Sequence, residues 1–545
     1  MKKLKNLKKT KKMKKTEEII HETYSLCPVC IDRIKAEIIK DGNDLKIRKK
    51  CRIHGVFEDK YFEYDLYKKY MKYIYDPPSM QANLDDEGEN CPLDCGLCKR
   101  HKSHTALANI TLTNRCILQC HYCFFYTDDF WKKNIYEPSL EKIKEMLQLL
   151  ASQKPIRCNA VQYTGGEPLL REDIVEIVNL TKEMGFEQIQ MNTTGIPLIQ
   201  REGLVEKLRN VTTYYLSFDG VSPQKNPKNH YEIPYIFKEL RKINENVVLV
   251  PTVINGINED EVGNIINFAL NNSDIVKSVN FQPVALVGRL SKKEIRSYRI
   301  TIPDLLNKIE KQTNGIIKRE DFYPVPCIGS ISRFADVVFG NPTYHLSAHP
   351  ICGVGTYVFL DGEEVVPITR FFDVEGFFEF LDTLSSEIEN AGILNGLARK
   401  AALLKLLINI RKFVDKERAP VDIDKLLVNI FVKGDYYSVG EIHMKSLMIG
   451  AMHFQDLYNY DIERVERCCI HYVTDDKTII PFCAYNVLPE IYRDKVLRKY
   501  SKPMKEAVPY YIRNIEKLTS SKVYRDAYNL KDYFGEKIKV EADEL

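Results

Sequence analysis

The stretch CILQCHYCFFY, residues 116–126, places Cys116, Cys120 and Cys123 on one short loop. Thiolates at such spacings select iron–sulfur clusters or tetrahedral zinc and iron, because the few intervening residues aim successive sulfurs at one centre. Such a centre normally takes four protein ligands, and this loop offers three. The spacing therefore predicts a [4Fe–4S] cube whose fourth iron is open to another ligand.

The segments around this loop alternate between strand and helix patterns. A strand over 106–113 leads into the loop, and a helix over 139–151 precedes a strand over 159–164 that ends in Gly165-Gly166-Glu167-Pro168. GGEP alone is ordinary turn chemistry, but its place one βα unit after the cysteines makes it specific. Further strands are predicted over 188–195, 212–220, 247–254 and 278–286, with helices near 172–185, 201–209, 231–244 and 259–271. Six βα units predict an α/β fold: a partial (β/α)6 TIM-like barrel with ligands at the C-terminal strand ends.

The cysteine triad, the preceding Tyr122 and GGEP together resemble the radical S-adenosylmethionine (SAM) superfamily. The resemblance implies that the amino and carboxylate groups of SAM chelate the open iron, and that an electron from the cluster cleaves SAM to methionine and a 5′-deoxyadenosyl radical. It also implies that GGEP binds the SAM amino group. Other strand-end residues are candidate SAM contacts, although each fits a plain strand-end cap equally well: Asn192, Thr194, Ser217, Asp219, Val253 and Gln282.

Composition excludes several classes of protein. The 545 residues carry a formal net charge of +4, so no overall field points to nucleic acid. No run of about eighteen apolar residues occurs that would span a bilayer. The basic segment 1–16 has no apolar core typical of a secretion signal, and we expect a disordered tail there. We therefore predict a cytoplasmic protein, with a peripheral contact with the membrane as an open alternative.

Fifteen cysteines in an intracellular chain indicate metal sites rather than disulfides. Cys158 stands alone and is interpreted as a small apolar core residue. Cys27, Cys30, Cys51 and His54 have the spacing of a zinc-ribbon or rubredoxin-like site, although a distant cysteine could replace His54. Two further [4Fe–4S] groups are predicted, one of which takes its fourth ligand from the other set: first Cys91, Cys95 and Cys98; second Cys327, Cys352, Cys468, Cys469 and Cys483.

The order of these motifs along the chain and their local sequences resemble the archaeal tetraether lipid synthase family from about residue 25 to about 490. The matching segments are CPVC…CRIHG, CPLDCGLCKRHKSHT, FYPVPC…AHPICGVGTY and HMKSLMIGAMHFQDLYNYDIERVERCCIHY…IIPFCAYN. The resemblance implies a radical SAM enzyme that joins two isoprenoid tails of an archaeol-type lipid through an sp3–sp3 carbon–carbon bond. It implies SAM, three [4Fe–4S] clusters, one mononuclear iron or zinc, and a reduced ferredoxin-like electron donor as cofactors and partners.

Six segments follow from this interpretation. They are a basic tail (1–16), a rubredoxin-like metal module (17–80), an auxiliary-cluster segment (81–105), the radical SAM barrel (106–300), a helical cluster- and substrate-binding region (301–490) and a helical tail (491–545). Within them, 392–414 is an amphipathic helix pattern, and Met444, Met448 and Met452 lie at spacing four on one predicted helical face. The helix pattern suits a bundle helix packed on the barrel or a contact with lipid, and the methionines suit a core or the wall of a tunnel for a hydrocarbon chain.

Two joined tails require two hydrogen abstractions, so the first carbon radical must be held while the second chain is activated. We assign that trap to a cluster held by Cys352, Cys468, Cys469 and Cys483. Two alternatives remain: a radical SAM C-methylase of a small heterocycle such as a pterin precursor, and a non-catalytic iron–sulfur electron carrier or scaffold. A SAM methyl group in the product favours the methylase, and failure to cleave SAM favours the carrier.

Overall fold

A four-stranded antiparallel sheet opens the part of the chain that the computed structural model describes, which is residues 17–125, 129–243, 246–290, 295–392, 395–423, 425–426, 428, 443–505 and 508–528. Its strands, in spatial and chain order, are β1 (Glu18–Leu26), β2 (Arg33–Asp41), β3 (Asp44–Cys51) and β4 (Gly55–Glu63). The predicted tail 1–16 and the end of the predicted C-terminal tail, 529–545, lie outside the described residues.

Polar contacts dock this sheet onto the C-terminal half of the chain. The buried ammonium of Lys49 donates to Ser25 Oγ at 2.9 Å and to the Leu457 carbonyl at 2.6 Å. Tyr61 donates its hydroxyl to Asp461 Oδ2 at 2.5 Å. The small sheet and the C-terminal segment are therefore packed against each other.

The larger sheet is built around eight parallel strands within the described residues. Their spatial order is β17-β5-β7-β8-β9-β10-β12-β16. The strands of this sheet and of a small β6–β19 pair are β5 (Leu107–Thr113), β6 (Asn134–Ile135), β7 (Ala160–Gly165), β8 (Gln188–Thr193), β9 (Thr213–Ser217), β10 (Asn246–Val250), β11 (Thr252–Val253), β12 (Val276–Pro283), β13 (Tyr323–Pro324), β14 (Gly353–Asp361), β15 (Glu364–Pro367), β16 (Leu447–Met452), β17 (Ile470–Val473), β18 (Ile479–Pro481) and β19 (Lys502–Pro503). The six predicted barrel strands are present, and β16 and β17 extend the parallel sheet beyond residue 300.

Helices follow most of the barrel strands, as the βα pattern predicts. The helices are α1 (Tyr64–Tyr70), α2 (Leu140–Ala151), α3 (Ile174–Glu183), α4 (Ile196–Gln200), α5 (Leu204–Lys207), α6 (Ile233–Arg241), α7 (Val262–Asn271), α8 (Ile295–Tyr298), α9 (Ile302–Gln312), α10 (Gly329–Phe339), α11 (Val374–Glu389), α12 (Asn395–Asn409), α13 (Ile462–Glu466), α14 (Phe482–Val487), α15 (Arg493–Tyr500), α16 (Ile515–Thr519) and α17 (Lys522–Tyr528). The amphipathic pattern at 392–414 forms α12, which lies beside α11. No described helix has the length and apolar character needed to cross a membrane.

The predicted methionine helix is wrong. Met448 and Met452 lie in strand β16, which pairs with β12 and β14. Residues four apart share a face in a strand as well as in a helix, so the spacing alone does not separate the two. Met444 precedes the strand and is exposed.

Alternation along the strands separates an apolar outer face from a polar inner face. On β8, Ile189 and Met191 are buried in the main hydrophobic core with residues of the surrounding helices, whereas Gln190 and Asn192 are half-buried. Strand register continues the inner face to neighbouring strands, because residues that pair in a parallel sheet point the same way. Gln190 pairs with Gln162 and Thr213.

The two end regions of this sheet lie close to each other. Segment 101–106, which precedes β5, contacts the segments that precede β14 and β17. Ser347 donates to Ser103 Oγ at 2.9 Å, the His345 backbone N–H donates to His104 Nε2 at 2.9 Å, and the Ala106 backbone N–H donates to the Cys469 carbonyl at 2.9 Å. The curved sheet is therefore joined at its ends through loop contacts.

Candidate metal and SAM site

The cysteine loop lies at the C-terminal end of β5. Cys116, Cys120 and Cys123 are half-buried thiols within electrostatic range of one another, and their mutual repulsion as anions helps to raise the pKa of Cys116, for which burial is the main cause. A second loop supports them, since the Arg289 backbone N–H donates to the Cys123 carbonyl at 3.3 Å. Gly288 permits this approach: its φ is +70°, and a Cβ there would lie 2.4 Å from Phe124 Cα. Three thiols on one short loop fit a cube that leaves one iron for another ligand.

A buried ion pair borders this loop. Tyr122 donates its hydroxyl to Asp219, which also accepts from Lys228 Nζ at 3.0 Å and from the Thr252 backbone N–H at 3.0 Å. Burial alone would lower the pKa of Lys228, but Asp219 and Cys120 outweigh it and raise that pKa. Lys228 is thus a buried cation beside an anionic cluster site.

The GGEP segment is fixed by hydrogen bonds to both neighbouring strands. The Gly166 backbone N–H donates to the Thr113 carbonyl at 2.8 Å, and Gly165 has a φ of +132° with no room for a Cβ against that carbonyl. The fully buried Glu167 carboxylate accepts from the Thr194 backbone N–H at 2.8 Å, from its hydroxyl at 2.7 Å and from the Thr193 hydroxyl at 2.7 Å. Glu167 therefore holds the loop in place, and Pro168 behind it is buried.

The strand-end candidates other than Asp219, which is described above, lie in three kinds of environment. Asn192, Ser217 and Gln282 lie half-buried on the inner face, and their side chains have no hydrogen-bond partner among the described residues. Thr194 is committed to Glu167. Val253 is fully buried in the main core, and its carbonyl accepts from the Val284 backbone N–H at 3.0 Å, so its side chain does not face a ligand site.

The N-terminal sheet brings four metal ligands together. The ligand atoms of Cys27, Cys30, Cys51 and His54 all lie within 4.8 Å of one another. Cys27 Sγ is 3.5 Å from His54 Nδ1, and the backbone N–H groups of His54 and Ile53 lower the pKa of Cys51 to about 6, which favours a thiolate. Three thiols and one imidazole fit one tetrahedral ion.

A second cysteine group lies between the barrel and α13. Cys91, Cys95 and Cys98 line one small cavity with His101 and Glu466, and no further cysteine lines it. Contact with Cys91 and burial raise the pKa of Cys95. No fourth thiol from the C-terminal set reaches this cavity among the described residues.

Four C-terminal thiols each lie within electrostatic range of at least two others in the set. Cys468 is in electrostatic range of Cys352, Cys469 and Cys483, and Cys352 is in range of the latter two. Cys327 is separate: it is buried in the α10–α12 core, and the neighbours that sense its charge include Tyr70, Tyr73 and Tyr323. The expectation that Cys327 shares a site with the other thiols is therefore unsupported by its placement. Cys158 is fully buried in the main core, as the apolar interpretation predicts.

Sequence reasoning missed the charged residues around these thiols. Lys228 lies in a polar loop after β9, where Lys225 is equally plausible from sequence. Arg464 follows no motif, although it lies four residues before the Cys468–Cys469 pair. Only the fold brings these cations to the sulfurs.

Comparison with known proteins agrees with this arrangement. The radical SAM superfamily matches residues 110–269, and the HMPTM N-terminal zinc ribbon domain matches residues 19–63. The fold and the site therefore define a radical SAM enzyme with an N-terminal zinc ribbon. SAM, a [4Fe–4S] cluster and a mononuclear metal are its cofactors, as the sequence predicted, and the two further predicted clusters stay a prediction.

Two similar proteins indicate the family within the radical SAM enzymes to which the chain belongs. The chain is 41% identical over 499 residues to 7,8-dihydro-6-hydroxymethylpterin dimethyltransferase of Methanocaldococcus jannaschii, covering 89% of this chain and 96% of that protein. It is also 26% identical over 229 residues to GTP 3′,8-cyclase of Aquifex aeolicus, covering 40% of this chain and 66% of that protein. The chain belongs to the 7,8-dihydro-6-hydroxymethylpterin dimethyltransferase family.

This match corrects the expectation of a tetraether lipid synthase. The relative that spans nearly the whole chain is named for a pterin substrate, so the archaeol-type substrate, the coupling of lipid tails and the membrane contact are not supported. The cysteine motifs therefore do not by themselves distinguish lipid coupling from other radical SAM reactions. The predicted carbon-radical trap is not supported either, because it was inferred from the coupling of lipid tails. Its proposed ligands were Cys352, Cys468, Cys469 and Cys483.

Proposed function

We propose that this protein is a radical SAM C-methyltransferase that replaces carbon-bound hydrogen of a reduced hydroxymethylpterin with methyl. The 41% identity to the pterin dimethyltransferase over 89% of the chain carries the proposal. Cys116, Cys120 and Cys123 would hold the SAM cluster, which with bound SAM supplies a radical able to abstract hydrogen. The structural zinc or iron would be held by Cys27, Cys30, Cys51 and His54.

The inner face of the barrel supports a small polar substrate. Gln162 Nε2 donates to Gln190 Oε1 at 3.3 Å, and Asn280 and Gln282 continue the amide-bearing face on β12. Barrel interiors filled with Val, Ile and Leu have no such capacity. Amide side chains offer both donors and acceptors, which matches the amino, lactam and ring-nitrogen edge of a pterin.

The chain's own residues would perform three tasks. Asp219 and Lys228 fix Tyr122 and keep a positive charge beside the cluster loop. Glu167 holds the GGEP backbone at the end of β7, and the inner-face amides orient the heterocycle. The outer core excludes water from behind the strands.

A direct assay tests the proposal. Anaerobic, iron-loaded full-length protein is incubated with reductant, SAM carrying an isotopically labelled methyl group, and 7,8-dihydro-6-hydroxymethylpterin. We expect pterin products heavier by one or two methyl groups together with 5′-deoxyadenosine, and the label reports whether SAM is the methyl donor. Because SAM is the only methyl donor in the mixture, 5′-deoxyadenosine without any methylated pterin would refute this function with SAM as the donor.

An inner-face variant tests where the pterin binds. Gln190→Leu should raise the KM for the pterin about tenfold, equivalent to about 1.4 kcal/mol, because one buried polar partner is lost. SAM cleavage without pterin should stay unchanged. Gln200→Leu, at an exposed position on α4, is the matched control.

A further inference from the structure

Arg464 is a buried cation on α13, with 3% of its surface exposed. Its Nη2 donates to the His453 carbonyl at 2.7 Å, and its Nε donates to Cys352 Sγ at 3.2 Å. Burying a guanidinium is costly unless an anion lies beside it. The identity of that anion therefore decides what Arg464 does.

No carboxylate lies within ion-pair distance of Arg464 in the described part of the chain. Other buried arginines each have a carboxylate within ion-pair distance: Arg171 with Asp173, Arg299 with Asp59 and Asp456, Arg467 with Asp76, and Arg493 with Asp494. Glu463 pairs with His21 and Glu466 with Arg100. Asp461 is within electrostatic range of Arg464, but its two oxygens accept from Thr23 and Tyr61, and it forms no ion pair with the guanidinium. The groups left beside Arg464 are sulfurs.

Those sulfurs belong to the four-thiol group. Arg464 contacts Cys352 directly and lies in electrostatic range of Cys483. Cys468 and Cys469 complete the group. Four thiolates on an iron–sulfur cube carry a net negative charge, which is the counter-charge that the buried guanidinium lacks.

We propose that Arg464 is a positioning residue for an auxiliary [4Fe–4S] cluster and raises its reduction potential. The inference rests on the proposed assignment of Cys352, Cys468, Cys469 and Cys483 as its ligands. Reduction adds negative charge to a cluster, so a fixed positive charge and an N–H donor to a ligating sulfur stabilise the reduced form. Arg464 supplies both.

The test is a redox titration of full-length, iron-loaded Arg464→Gln and Arg464→Lys proteins, followed by electron paramagnetic resonance. We expect unchanged iron content and a tenfold or larger loss in the reduction equilibrium of Arg464→Gln, which is about 59 mV to more negative potential for a one-electron couple. Arg464→Lys should shift less, because the charge remains while the Nε donor is lost. Arg171→Lys, another buried arginine, should leave the potential unchanged.

Other outcomes would overturn the proposal in distinguishable ways. Full iron content with an unshifted potential would exclude the redox role while leaving the cluster assignment intact. Loss of iron from both Arg464 variants would assign the residue a structural role instead. If Cys352→Ser and Cys469→Ser leave iron content and every cluster signal as in the parent protein, the ligand assignment itself is wrong. None of these results depends on the pterin.

Discussion

The ion pair between Asp219 and Lys228 gives the sharpest test of how the SAM-cluster loop is held. Asp219 is 3% exposed and Lys228 11%, and their charged atoms are 3.0 Å apart. Removing one partner of a buried pair costs about 3–5 kcal/mol, because the other charge stays buried and uncompensated. Asp219→Asn and Lys228→Met should each destabilise the protein by about that amount.

The double variant separates charge pairing from simple loss of contacts. Replacing both partners with uncharged side chains removes the uncompensated charge, so Asp219→Asn/Lys228→Met should be more stable than the sum of the single changes by roughly 2–4 kcal/mol. The measurement is urea unfolding under anaerobic conditions at matched iron loading, followed by circular dichroism.

A surface pair provides the matched control. Arg241 and Asp274 lie 2.6 Å apart but are 39% and 54% exposed, so Asp274→Asn should cost less than about 1 kcal/mol. Strict additivity of the two buried changes would refute the reasoning. So would an Asp219→Asn protein as stable as Asp274→Asn.

Four further predictions follow from the site and its supports. Cys120→Ala should abolish 5′-deoxyadenosine formation, measured by chromatography; a normal rate would place the SAM site elsewhere. Cys51→Ser should remove the mononuclear metal and make 18–63 sensitive to limited proteolysis, whereas an intact, protease-resistant ribbon would contradict the ligand set. Glu167→Gln should destabilise by about 1–3 kcal/mol, because its amide N–H faces buried donors; an unchanged urea midpoint would argue against the hydrogen-bond network. Burial lowers the pKa of Lys49 to about 8, so between pH 8 and 10.5 the unfolded chain binds the extra proton and stability should rise with pH relative to Lys49→Met; parallel pH profiles would contradict this.

Local patterns predicted the barrel well because each βα unit carries its own signal. The strands at 106–113, 159–164 and 188–195 are found within one or two residues of their predicted bounds. β16 and β17 were missed because they reach the sheet only through long connections. A methionine every four residues places the side chains on one face of either a helix or a strand. The predicted helix is therefore wrong at a position where a strand forms.

The site was predicted where ligands are close in sequence and not where they are distant. The Cys27–His54 group and the Cys116 loop are compact, so spacing alone identifies them. The grouping of Cys352 with Cys469 and the isolation of Cys327 depend on tertiary contacts. The substrate class could not be predicted, because cysteine motifs identify cluster ligands and not the side chains that contact a substrate.

The meeting of the sheet's two end regions has a mechanical consequence. Cys352 immediately precedes β14 near one end of the sheet, and Cys469 immediately precedes β17 near the other. A cluster that bound both cysteines would add a covalent link to the hydrogen bonds that already join these end regions, and its occupancy would influence the width of the barrel interior. Loss of the cluster on exposure to oxygen would then make the substrate-binding interior less rigid, and it would also remove a redox centre.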